Sequence, residues 1–88
     1  MNKVIWKYEI EITNGLAINL PLDANVLKID VQHGITQMWV LVDPDAELEE
    51  RVFAVFGTGE PIGSDRLTYL DSFLACGGSY VWHVFERV

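Results

Sequence analysis

From Val4 to Ile12 the chain alternates: Trp6, Tyr8, Ile10 and Ile12 fall on one side of an extended backbone, and Lys7, Glu9 and Glu11 on the other. A repeat of two cannot build the apolar stripe of a helix, whose period is near 3.6, so this segment is constrained to a half-solvated strand. Similar segments recur between turn signals. Asn14-Gly15 is a two-residue hairpin signal, after which Leu16–Leu20 runs back as a second strand that Pro21 ends. A third strand is predicted over Val26–Gln32, with Leu27, Ile29 and Val31 inward and Lys28 and Asp30 outward. Gly34 punctuates, and Thr36–Val42 follows as a more continuously apolar, buried strand. Val52–Phe56 is the fifth strand. Thr68–Ala75 is the sixth: Leu67, Leu70 and Leu74 also fit helical spacing, but its Thr, Tyr and Phe favour extended structure. Gly77-Gly78 turns the chain into a last strand, Tyr80–Glu86. Asp43-Pro44 stops the fourth strand. With Asp43 as N-cap and Pro44 at the first helical position, 44–50 admits a short helical turn, although a solvated acidic connection is preferred. Seven short strands with turns between them predict an all-β fold, a small antiparallel sandwich or barrel, as a single domain over 1–88.

Size and charge narrow the function classes. A chain of 88 residues and 10.0 kDa should expose roughly 5,200 Å² when folded, hiding only about 64% of its extended surface. Yet 50% of its residues are hydrophobic, with three Trp, three Tyr and four Phe, so some apolar surface is expected to face a neighbour or ligand. Thirteen acids against six bases leave a net charge of −7, which argues against a binder of long nucleic acid. The single Cys76 excludes an intrachain disulfide. The longest strictly apolar run, Met38–Val42, is far shorter than the ~20 residues a membrane-spanning helix needs. Lys7 interrupts the apolar N-terminus, which does not read as a secretory signal, and a cytoplasmic location is expected.

Few residues offer chemistry. His33, His83 and Cys76 lack the paired spacing of a metal site, and the acids between Asp43 and Glu50 lack the glycine of a calcium loop, so no metal or cofactor is expected. No serine stands in a nucleophile elbow, and Cys76 with His83 is a weak dyad, so no enzyme is expected. The loop Gly57–Asp65 is neither a dinucleotide fingerprint nor a P-loop. Its backbone N–H groups suit an anion, with Thr58 adding a hydroxyl, or it is an ordinary strand connection. His83 lies between Trp82 and Val84, as a hydrogen-bonded core residue or as a donor to phosphate. On the period of two, Tyr80, Trp82 and Val84 face one way and Val81, His83 and Phe85 the other. Trp and Tyr suit stacking on a flat base and a protein interface equally. The six basic residues are too few for a patch on one subunit, but symmetry could gather them, with Lys7 and Arg51 favoured.

Taken together, Val4-Ile5-Trp6-Lys7-Tyr8-Glu9, Val42-Asp43-Pro44, Phe56-Gly57-Thr58-Gly59, Pro61-Ile62 and Val81-Trp82-His83-Val84-Phe85-Glu86 resemble a family of compact phage-encoded β proteins of about this length. That set is also similar to viral sponge proteins that sequester the nucleotide messengers of CBASS immunity. The resemblance implies immune evasion without catalysis: a cyclic nucleotide, such as a cyclic dinucleotide, held at the subunit interface of a homo-oligomer. Lys7, Tyr8, Thr58, Gly59 and His83 are then the first candidates for the ligand, with Trp39 and Arg51 behind them. Two other classes remain open. Asp43, Asp45, Glu47, Glu49 and Glu50 would be the reading face of a protein inhibitor or DNA mimic, and a virion component would co-purify with particles.

Overall fold

A computed structural model describes residues 2–63 and 66–88. Its seven strands are β1 (Val4–Glu9), β2 (Leu16–Pro21), β3 (Asn25–Gln32), β4 (Ile35–Val42), β5 (Leu48–Gly57), β6 (Leu67–Ala75) and β7 (Tyr80–Arg87), with one short 3-10 turn at Cys76–Gly78. They form two antiparallel sheets, ordered β1-β4-β3 and β2-β5-β7-β6. The fold is thus all-β as expected, and of the sandwich and barrel left open it is the two-sheet sandwich. The short axis of its 41 × 32 × 15 Å Cα envelope accommodates two sheets about 10 Å apart.

The core lies between the sheets and follows the period of two. Met38, Val40 and Val42 of β4 meet Phe53 and Val55 of β5, Phe73 of β6 and Val84 of β7, with Leu20 and Ile29 beside them. On β1, Tyr8 stands opposite Met38 and so faces inward, packed against this cluster. Burial raises the pKa of its phenol. The inner face also carries one ion pair. Arg51 donates from Nη2 to Glu86 Oε1 (2.8 Å) and from Nη1 to the Ala24 carbonyl (2.6 Å), while its Nε donates to Glu86 Oε2. The bonds to Glu86 raise the Arg51 pKa above its ordinary value.

Four expectations are corrected. The alternation of Val4–Ile12 is not one strand: β1 ends at Glu9, and Ile10 turns into the core with its N–H on the Thr36 carbonyl. Asn14-Gly15 does not close a hairpin, because β1 pairs with β4 and β2 with β5, and neither turn residue has positive φ. The two-residue hairpin forms instead at His33-Gly34 (φ 52° and 78°), between β3 and β4. Of the two readings of 44–50 the helical turn does not form, and the preferred connection is shorter than expected. Asp43 accepts from the Asp45 and Ala46 N–H groups, which turns the chain, and β5 starts at Leu48. Leu27 is exposed, because a bulge between Val26 and Lys28 gives the inward place to Val26.

The sheets also meet edge to edge. β3 and β6 lie against each other, and the Ile29 N–H donates to Asp71 Oδ2 at 2.8 Å. A carboxylate thus replaces a ladder bond where both strands bulge, at Val26/Lys28 and Tyr69/Asp71. This seam makes the outer faces of the two sheets one surface.

Candidate functional site

A polar band runs across that outer surface. Strand register sets Lys7 of β1 opposite Trp39 of β4, and Trp39 opposite Lys28 of β3. Across the seam, Ser72 of β6 stands opposite His83 of β7. Lys28 and Ser72 line the two sides of a seam cleft of about 290 Å³, with Asp30 and Asp71.

Both nitrogens of the His83 ring are engaged: Nδ1 lies 2.8 Å from Ser72 Oγ and Nε2 2.8 Å from Thr58 Oγ1. The Thr58 hydroxyl also lies 3.4 Å from the Val81 carbonyl, and Ser72 Oγ is 2.8 Å from the Tyr69 hydroxyl. The chain Tyr69–Ser72–His83–Thr58 thus occupies both ring nitrogens, and the His83 tautomer sets the direction in which it donates. Among the described residues no carboxylate contacts the imidazole. Asp71 turns to the Ile29 and Ser72 N–H groups instead, so Ser72 and His83 lack the third member of a nucleophilic triad.

Thr58 lines a second cleft, of about 340 Å³, together with Gly57, Ser79, Tyr80, Val81 and Trp82. His83 therefore bridges the two clefts, reaching Ser72 in one and Thr58 in the other. Tyr80 and Trp82 are two apart on β7, so their rings stand on the same side, with centroids 6.5 Å apart and planes 30° apart. Tyr80 is 59% exposed. Gly57 backs this platform: a Cβ there would meet Trp82 Cζ3 at 3.3 Å. The loop itself turns at Gly57–Glu60, where Glu60 N–H donates to the Gly57 carbonyl and Gly59 has φ +88°, the positive value a type II turn requires at its third position. Glu60 Oε1 accepts from the Gly57 N–H (2.9 Å), so one amide of the anticipated anion nest already holds a carboxylate. Positions 64 and 65 of the anticipated Gly57–Asp65 loop lie outside the described residues.

The predicted site residues therefore fall into three groups. Lys7, Trp39, Thr58 and His83 share the outer band, with Gly59 in the adjoining turn. Tyr8 faces the core. Arg51 is held inside the sandwich by Glu86 and Ala24. Lys28, Ser72, Tyr80 and Trp82 were not among the ligand candidates. The period of two places Tyr80 and Trp82 on one face without assigning them to a ligand, whereas the pairing of Lys28 and Ser72 across the seam left no local trace. Cys76 is exposed in the 3-10 turn, and among the described residues no three metal-ligating side chains cluster. No curated protein and no solved structure matches the chain. A family model matches it over residues 1–88, and the chain belongs to the family described as Domain of unknown function (DUF7352).

Proposed function

We propose that this protein is a non-enzymatic binder that captures a cyclic nucleotide messenger, such as a cyclic dinucleotide, in the cytoplasm of an infected host and holds it intact. The observation that carries this reading is the position of His83 between two clefts: it holds Ser72, which lines one with Lys28, Asp30 and Asp71, and Thr58, which lines the other with Tyr80 and Trp82, whose rings lie on the opposite face of β7. A base stacked on such rings gains about 1–3 kcal/mol. A phosphate would be drawn to the Lys28 ammonium, which pairs with Asp30 Oδ2 at 3.5 Å, and would have to displace existing partners to reach the Ser72 and Thr58 hydroxyls that hold His83. The band is about 20 Å from Lys7 to His83, counted as four strand spacings, so one small ligand fills only part of it. A chain of net charge −7 repels a polyanion yet can hold one small anion at a local cation. Retention needs tight binding and no bond cleavage, and a serine–imidazole pair without an orienting carboxylate suits that role.

Calorimetric titration against 3′,3′- and 2′,3′-linked cyclic dinucleotides and cyclic ADP-ribose isomers tests the proposal. Binding tighter than about 10 μM to one of them, weakened at least tenfold by Trp82→Ala and by Lys28→Glu, is expected. No binding to any of them at that level overturns it. Reversing Asp45, Glu47 and Glu50 together should leave the titration unchanged, whereas a DNA mimic would lose its activity.

A further inference from the structure

We infer that β1 is a self-pairing edge, through which two copies of this chain join their three-stranded sheets into one six-stranded sheet. The other edges are blunted. β3 and β6 bulge, face each other and share the Asp71 bridge, and β2 closes with Pro21. β1 carries no such device. It pairs with β4 in unbroken register from Val4 to Glu9, and among the described residues nothing pairs with its other side. It contains no proline, and the ammonium of Lys7, its one cation, is held by Gln32 Oε1 at 2.8 Å. Its inner face is apolar and open, with Val4 and Trp6 each 40% exposed, and on the outer face Ile5 is 57% exposed beside Lys7 and Glu9. The folded chain exposes 5607 Å², more than the roughly 5,200 Å² expected for its mass.

The sequence selects a second copy as the occupant. In a two-fold antiparallel pair, inward residues must meet inward residues, so the axis passes through a residue of the strand. Centring on Lys7 sets Lys7 against Lys7 and Ile5 against Glu9. Centring on Tyr8 leaves three paired positions. Centring on Trp6 pairs Val4–Tyr8 five deep, sets Trp6 against Trp6 and Val4 against Tyr8, and brings Lys3 opposite Glu9 on both sides of the axis. Only that register combines the longer overlap with opposite charges face to face.

The test needs no ligand, so its failure is separate from failure of the nucleotide reading. Light scattering after gel filtration at about 100 μM should give twice the 10.0 kDa chain mass, and Trp6→Glu should give one chain mass. Lys3→Glu alone and Glu9→Lys alone should each weaken the dimer roughly tenfold, and the double exchange should restore it. The exchange at Lys3 and Glu9 decides the matter if Trp6→Glu fails to fold. A monomeric wild type, or a double exchange no tighter than either single one, overturns the inference.

Discussion

Replacing Asp71 with Ala should open the β3–β6 seam. The carboxylate accepts the Ile29 N–H at 2.8 Å and the Ser72 N–H at 2.8 Å, and Ile29 is 1% exposed. Hydrogen bonds to a charged group contribute about 1.5–3 kcal/mol, and a donor left without its acceptor costs about 1–3 kcal/mol. The Ser72 bond joins neighbouring residues and is replaceable by water, so most of the loss comes from Ile29. A cost of about 2–3 kcal/mol is expected, a large share of the roughly 4–13 kcal/mol that stabilises a chain of this size. The corresponding fall in Tm is about 10–20 °C. Asp71→Asn keeps an acceptor oxygen and should cost less than half as much. Urea unfolding followed by tryptophan fluorescence gives the free energy, and amide hydrogen exchange at Ile29 shows where it is lost. A loss below about 0.5 kcal/mol, with Ile29 protection unchanged, would refute the view that this carboxylate joins the sheets.

Further outcomes follow from the packing. Arg51→Met leaves Glu86 and the Ala24 carbonyl without partners at a site where both side chains of the pair are under one-fifth exposed, and should lower stability by about 2–3 kcal/mol in urea unfolding. Gly57→Ala has no backbone strain to overcome, so stability should change by less than about 1 kcal/mol; displacement of the Trp82 ring should instead shift its emission and weaken nucleotide binding in titration. Tyr8 is an acid whose folded pKa is raised from 10.0, so its contribution is full below the unfolded pKa and is lost as pH rises through the folded value. Stability measured from about pH 9 upward should therefore fall more steeply for the wild type than for Tyr8→Phe.

The period of two was enough to read seven strands and most of their faces, because each half-buried strand writes its burial locally. Pairing was less legible. Asn14-Gly15 carries the stronger hairpin signal, yet His33-Gly34 makes the hairpin, since β3 and β4 lie side by side and β1 and β2 lie in different sheets. Leu27 shows the limit of alternation, because one bulged residue reverses the parity that follows from counting. For the site, Thr58 and His83 are 25 residues apart and meet because β5 and β7 are neighbours. Trp39 and Lys7 meet through the β1–β4 pairing. Arg51 looked available as a cation, but its position on the inner face, opposite Ile18, delivers it to Glu86. Those distinctions depend on register across strands, which the sequence does not encode locally.

The central claim is that the ligand is held and not transformed. The protein should be saturated with the tightest-binding cyclic dinucleotide, freed of excess ligand by gel filtration, heated to unfold, and the released small molecule weighed by mass spectrometry. Retention in a fixed ratio to protein, with the unaltered mass of the cyclic molecule, is the predicted result. A linear or hydrolysed product, or no ligand carried through the column, would contradict it.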